Sequence, residues 1–236
     1  VLDVLSEGGR VTGVVTDQGT IECEYVVNCA GMWARQLGER HGVNVPLQAA
    51  EHYYLITEQI EGMDGSWPVI EDPGNYGYYR EEVGGLMIGL FEPVCAPWRV
   101  EGIPADSSFT SLQPDWDRMG PYLERAMSRV PISNEIGIHT FFCGPESFTP
   151  DLAPVVGESP ELRGYFVCAG LNSIGILTGC GLGRVMANWV MTGQPDVDVT
   201  GFHIDRLHTY QSNPEYRRTR TVESLGMVYQ CHYPNR

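Results

Sequence analysis

The sequence lacks a C-x-x-C pair and an H-x-x-x-H pair, so the usual zinc-ligand spacings are missing and no metal site is expected. Its seven cysteines, Cys23, Cys29, Cys95, Cys143, Cys168, Cys180 and Cys231, are odd in number, widely spaced and mostly embedded in apolar runs. That pattern fits reduced, structural thiols better than a disulfide framework. No apolar run approaches the roughly 18 residues needed to span a bilayer, and nothing at the start resembles a signal peptide. No membrane association is expected. The dinucleotide fingerprint G-x-G-x-x-G is absent too, as are repeats and low-complexity tracts. Cationic excess is also lacking: the net charge is −15, which repels phosphate backbones and excludes nucleic acid as a partner. What remains is ordinary for a globular protein, with 42% hydrophobic and 19% charged residues, enough for one large domain or two small ones.

The densest chemistry lies between residues 141 and 183. There Y-F-V-C-A (165–169) reads as a short buried strand bounded by Gly164 and Gly170. A glycine-punctuated loop carrying Gly170, Gly175, Gly179, Gly181 and Gly183 is expected next, leading into a helix whose Val185, Met186, Trp189 and Val190 share one face. Strand, glycine loop and helix together suit a cofactor, because glycines allow close backbone approach and a helix start favours an anion. A tight turn made of small residues explains the same pattern equally well.

The chain opens on Val1, and V-L-D-V-L reads as the middle of something; a piece of a longer protein is expected. Short β-type runs at 1–5, 11–16 and 21–25 alternate with turn residues, as in a meander. Y-V-V-N-C (25–29) is a further strand that ends in Ala30-Gly31 and passes into a helix from about Trp33. In open α/β sheets ligands gather at such strand ends, although an ordinary connection with Trp33 in the core is the plainer reading. From Pro46 the runs around His52-Tyr53-Tyr54, P-V-I-E-D, Y-G-Y-Y-R-E and G-L-M-I-G-L-F-E suggest an antiparallel sheet. It would set imidazole, phenols and the Arg80 guanidinium on neighbouring strands, as a polar-aromatic pocket or as half-buried surface. Residues 113–130 carry Trp116, Met119, Leu123, Met127 and Val130 at helical spacing, a core stripe. A strand is expected at 136–143, an extended segment at 196–204 and a polar stretch at 205–220.

The motifs V-V-N-C-A-G-M-W-A, E-H-Y-Y-L-I-T, C-G-P-E-S-F-T-P-D and G-Y-F-V-C-A-G-L-N-S, in this order over nearly the whole chain, resemble the FAD-dependent amine oxidoreductases of the D-amino-acid oxidase superfamily. More narrowly the chain is similar to sarcosine and dimethylglycine dehydrogenases. The resemblance implies an α/β (α+β) fold, a partial FAD-binding domain interrupted by an antiparallel-sheet substrate domain. The expected division is 1–45 and 139–204 for the FAD domain, 46–138 for the substrate domain, and 205–236 as a linker toward a folate-binding domain. FAD is the implied cofactor, with tetrahydrofolate in the full-length parent. Ala30, Gly31 and Trp33 resemble the family's strand-end contact with FAD. Leu171, Asn172, Ser173, Ile174, Gly175 and Ile176 resemble the segment against the flavin pyrimidine edge. His52 and Tyr78 fall where relatives place an active-site histidine and a substrate-side tyrosine, and Arg80 is a partner for the substrate carboxylate, with a strand salt bridge as its competing role. The implied reaction is oxidation of a small secondary or tertiary amino acid by hydride transfer to flavin, with an electron-transfer flavoprotein among the implied partners and the piece alone inactive. The implied compartment is cytoplasmic for a bacterial source and the mitochondrial matrix for a eukaryotic one. The regulatory subunit of pyruvate dehydrogenase phosphatase resembles these enzymes as well, which keeps a non-catalytic regulatory role open.

Overall fold

The structure, a computed structural model, describes residues 1–229. Cys231 and the last residues of the expected 205–236 linker lie outside the described residues. The described residues divide into two compact units, the first of residues 1–49, 99–106 and 146–221 and the second of 50–98, 107–145 and 222–229.

In the first unit β1 (Asp3–Glu7), β2 (Arg10–Thr16) and β3 (Gly19–Glu22) form an antiparallel meander. Its first hairpin turns on Gly8 and Gly9, at φ +57° and +75°, where Glu7 pairs with Arg10. Two consecutive positive φ values define the turn whose twist suits a two-residue hairpin, and glycine adopts them without strain. A second sheet runs β10-β11-β4, with β4 (Val26–Asn28), which leads into the short helix α1 (Ala34–Glu39), parallel to β11 (Tyr165–Ala169) and β10 (Val155–Glu158) antiparallel to it. β11 is central and buried on both faces, which is why its sequence is continuously apolar. Tyr165, Val167 and Ala169 join a core with Val4, Val11, Val45, Leu47 and Ile204. Phe166 faces the other way, onto Val185, Met186 and Trp189 of α3 (Gly175–Thr192).

The expected glycine loop is shorter than its sequence suggests. Helix α3 begins at Gly175, so Gly175, Gly179, Gly181 and Gly183 are helical and only 170–174 turns. The polar stretch at 205–220 likewise folds, first through two short 3-10 turns and then into α4 (Pro214–Ser224). Asn213 starts α4 by accepting the backbone N–H groups of Glu215 and Tyr216 at 2.9 and 3.2 Å, satisfying donors that a helix start leaves unpaired.

The second unit is built on a five-stranded sheet of order β6-β7-β8-β5-β9, made of β5 (Gln48–Thr57), β6 (Ile70–Asp72), β7 (Gly77–Glu82), β8 (Gly85–Leu90) and β9 (Ile138–Phe148). β5 with β8, β6 with β7 and β7 with β8 are antiparallel. Helix α2 (Trp116–Met127) packs Met119, Leu123 and Ala126 against Tyr53, Leu55, Tyr79, Leu86, Ile88, Leu90 and Cys143. Asp115 caps α2, accepting the Arg118 N–H at 3.0 Å. Trp116, read as part of the buried stripe, stays about half exposed at 52%, with its ring 4.2 Å from that of Phe141. The first turn of an isolated helix on a sheet covers less than its middle does.

Candidate functional site

The first unit holds a cavity of about 370 Å³ lined by Cys29, Gly31, Glu146, Ser147, Cys168, the run 169–173, Gly175, Gly179 and Gly183. Glycines at 175, 179 and 183 recur every fourth residue, so they share one side of α3. At 179 and 183 an added Cβ would meet nothing within 4 Å, so the absent side chains leave room for the cavity rather than permitting close packing. Helix α3 has no side-chain cap, and its first N–H groups are those that helix geometry leaves without intrahelical partners.

Two buried asparagines fix the turns around the cavity, Asn172 on its wall and Asn28 behind Gly31. Asn28 donates to Ala34 O and to the Tyr165 hydroxyl, both at 2.9 Å, and accepts from Ala30 N at 3.2 Å. This clamp holds the turn in which Gly31 sits at φ +56°. Asn172 accepts the Thr149 N–H at 2.8 Å and donates to Gly170 O at 2.6 Å, so its amide is committed to the turn. Gly170, at φ +65°, lies so close to Leu47 and Thr149 that a Cβ would come within 2.6 Å of each. Asn172 and Ser173 both hold positive φ, at 50° and 70°, conformations costing non-glycine residues on the order of 1 kcal/mol or more.

Of the residues expected to hold a cofactor, Gly31, Leu171, Asn172, Ser173 and Gly175 line this cavity. Ala30, Trp33, Ile174 and Ile176 do not. Trp33 donates its indole N–H to Pro104 O at 2.9 Å, and Ile176 is fully exposed on the first turn of α3. Glu146, Ser147 and Cys168 were not expected as contacts, whereas Gly179 and Gly183 were read as part of a cofactor loop and prove to lie within α3.

In the second unit the registers Tyr54↔Gly89 and Tyr78↔Gly89 place the rows containing His52, Tyr54, Tyr78 and Arg80 on the sheet face opposite α2, since side chains alternate along a strand. His52 Nε2 lies 3.0 Å from Leu90 O. The His52 ring is 5.0 Å from that of Phe91, Phe91 is 5.7 Å from Tyr78 and 4.9 Å from Tyr229. Tyr54 stacks on Phe142 at 4.8 Å. Tyr78 lies over Gly89, where a Cβ would fall 1.8 Å from its Cζ. Arg80 is on the same face but exposed, ion-paired with Glu82 at 2.5 Å and with its Nε 3.3 Å from Met87 Sδ. Phe91, Phe142 and Tyr229 were not singled out in the sequence, although the alternation that placed Tyr78 would have placed Phe142.

Beyond the end of β8, Glu92 is fully buried. Arg118 reaches it at 3.1 Å and Glu51 at 2.5 Å, while Glu92 Oε2 has no hydrogen-bond partner among the described residues. Burial pushes the Glu92 carboxyl up to about 7, against the opposing pull of its own backbone N–H, His52 and Arg118. Among the described residues there is no group of three or more His, Cys, Asp or Glu that could hold a metal ion, and no helix is long and apolar enough to cross a membrane.

Residues 1–189 match the family described as FAD dependent oxidoreductase, and residues 192–236 match the FAD dependent oxidoreductase central domain. The 4-methylaminobutanoate oxidase (formaldehyde-forming) of Paenarthrobacter nicotinovorans is 41% identical over 98% of this chain and 28% of its own length. Human mitochondrial sarcosine dehydrogenase is 39% identical over 96% of this chain and 24% of its own. The mouse mitochondrial pyruvate dehydrogenase phosphatase regulatory subunit is 38% identical over 99% and 27%. The chain thus spans about a quarter of the length of these curated relatives. Among solved structures, glycine oxidase from Geobacillus kaustophilus superposes with a TM-score of 0.69 at 25% identity, over 88% of this chain and 52% of that one.

Proposed function

Because the chain belongs to the FAD dependent oxidoreductase family, we propose that this protein oxidises a small secondary or tertiary amino acid, with sarcosine and dimethylglycine as the substrates to try first. The observation that carries the reading is the sheet face bearing His52, Tyr78 and Phe91 together, an imidazole and a phenol on a wall of aromatic rings. Such a wall suits a small amine with one apolar substituent.

The cavity of the first unit fits a flavin. Glycines 31, 170, 175, 179 and 183 are among its lining residues, and no side chain rises from Gly179 or Gly183 to fill it. Gly31, the 171–173 turn and Gly175 would hold the group, and the unpaired N–H groups at the start of α3 would face its electron-rich edge. When bound, the flavin supplies the acceptor for the two electrons that leave the amine. The protein's own share is binding, orientation and proton handling. Since a carbonyl only accepts, the His52 Nε2 beside Leu90 O carries the proton, and Nδ1 is the basic nitrogen of the neutral ring. Nδ1 takes the proton of the substrate ammonium, freeing the lone pair on nitrogen. The Tyr78 hydroxyl orients the substrate's polar end, and the Phe91 ring packs against its methyl group. No step is assigned to Arg80, whose guanidinium is paired with Glu82.

The test is anaerobic stopped-flow bleaching of flavin absorbance in the full-length protein with each amine, in wild type and His52→Ala. Rapid bleaching that the substitution slows about 100-fold or more, the usual range for a general base, supports the reading. Bleaching that ignores the substitution keeps the oxidation and removes His52 from it. Reoxidation by oxygen or by an electron-transfer flavoprotein then separates the two acceptors. The similarity to a phosphatase regulatory subunit supports a second reading, a non-catalytic partner. Absence of bleaching with any N-methyl amino acid in a flavin-loaded protein favours it.

A further inference from the structure

We propose that Cys29 and Cys168 form a dithiol site in the wall of the glycine-lined cavity, which reacts with a two-electron oxidant of the hydroperoxide class and closes as a disulfide. This does not depend on the flavin reading. It revises the expectation that all the thiols are merely structural.

β4 and β11 are parallel, and Val27 pairs with Phe166 and Asn28 with Val167. The next rung sets Cys29 beside Cys168. Neighbouring strands lie about 4.8 Å apart, inside the roughly 4.4–6.8 Å Cα separation that a disulfide spans. Both side chains lie on the α3 side of the sheet, in the same alternation as Val27 and Phe166, and both line the same two cavities. The two thiols act on each other's acidity.

This coupling gives the pair unequal roles. Cys168 lowers the Cys29 thiol to about 7, with burial opposing, while the Cys168 thiol is pushed up by the same partner and by burial. Cys29 is also exposed, and an accessible thiolate is what oxidants attack. Other groups facing the pair do not compete for the role: α3 presents Gly183, Met186, Ala187, Val190 and Met191, and the remaining charged side chain on the cavity wall is Glu146. Elsewhere Cys95 and Cys143 are buried, with thiols pushed up by burial to about 12 and about 11, and are expected to be inert.

In the first step the Cys29 thiolate attacks one peroxide oxygen, the O–O bond breaks, and sulfenic acid and hydroxide form. With Cys29 now neutral, its charge no longer opposes ionisation of Cys168. Cys168 gives its proton to hydroxide and attacks the Cys29 sulfur, forming the S–S bond as the sulfenic oxygen leaves as hydroxide and takes up a proton from solvent. Overall two thiols are oxidised, one hydrogen peroxide is reduced, and two waters are released.

The test treats the reduced full chain with hydrogen peroxide at neutral pH and reads intact mass and a tryptic map. Residues 11–35 and 164–184 are the tryptic peptides carrying Cys29 and Cys168, and each holds a second cysteine, Cys23 or Cys180. The experiment therefore runs in a Cys23→Ser, Cys180→Ser background. The expected result is loss of two hydrogens, one link between these peptides, and reversal by dithiothreitol. Cys168→Ala should slow iodoacetamide alkylation of Cys29 at neutral pH about tenfold or more, as its thiol returns toward the free value of about 8.5. Cys168→Ser, which keeps a donor, should preserve fast alkylation while leaving peroxide-treated Cys29 as a dimedone-reactive sulfenic acid. Cys29 untouched by peroxide, a link to any other cysteine, or alkylation equally fast in Cys168→Ala overturns the proposal.

Discussion

The two faces of the five-stranded sheet are written by the same strands and differ in every respect that matters for function. On the α2 side Tyr53, Leu55, Ile88 and Leu90 are all fully buried, and a carboxylate that reaches this depth, Glu92, is held by Arg118. On the other side the same strands offer His52, Tyr54, Tyr78 and Arg80, half-buried or exposed. A period of two thus separates stability from chemistry at single-residue resolution. Tyr79 spends its hydroxyl on Ala126 O of α2 at 2.9 Å, whereas its neighbour Tyr78 lies over Gly89 beside Phe91. Substitutions at adjacent residues should therefore fail in different ways.

The largest failure is expected at Arg118. Arg118→Ala removes the cation shared by Glu51 and Glu92 and leaves Glu92 charged or forced to protonate in a buried site. A loss of about 3–5 kcal/mol is expected, measured by urea unfolding. A loss below about 1 kcal/mol would mean that the closed face does not rest on this network. Next comes the pair Leu55→Ala and Ile56→Ala on β5. The first empties a fully buried site and should cost about 2–5 kcal/mol. The second lies on the other face, is only half-buried, and should cost less than half as much. Equal costs would erase the distinction between the faces.

Much of this division was legible in advance. E-H-Y-Y-L-I-T and G-Y-Y-R-E were expected on neighbouring strands, whereas β8 lies between β5 and β7 and the shared face comes from both pairing with it; Y-F-V-C-A announced a buried strand. The α/β fold and the FAD dependent oxidoreductase family followed from motifs that run in order over nearly the whole chain. What failed was local propensity overruled by distant packing. Four glycines at 175–183 argue against a helix, yet Val185, Met186 and Trp189 anchor α3 on the sheet, and the glycines extend the helix toward the cavity. Asn28 holds the turn behind Gly31 only because the Tyr165 hydroxyl, 137 residues later, meets its amide. Glu92 gave no signal, since Arg118 lies 26 residues away. Cys29 and Cys168 looked structural singly and acquire meaning only through strand register.

Glu92 also gives the closed face a pH dependence. Its folded-state value, about 7, lies above the ordinary glutamate value of 4.5, so the folded protein holds this proton more tightly than the unfolded chain. The stabilisation is full below about 4.5 and is lost as pH rises through about 7, a change of up to about 3 kcal/mol. Glu92→Gln, which mimics the protonated form, should flatten stability across this window. An unchanged slope in the variant would assign it to other groups.

The smallest effect on stability is the sharpest test of the comparison. Tyr79→Phe strips the hydroxyl that satisfies Ala126 O in the core and should cost about 1–2 kcal/mol while leaving the rate of flavin bleaching by the amine unchanged. Tyr78→Phe removes a hydroxyl from the aromatic face, and should cost no more than about 1 kcal/mol while slowing bleaching about tenfold or more through a poorly oriented substrate. The ring itself remains over Gly89 and against Phe91, so apolar contact with the methyl group persists and the loss falls on rate more than on binding. If the two variants exchanged phenotypes, the register across Gly89 would have to slip by one residue, and the face that carries His52 would become the face against α2.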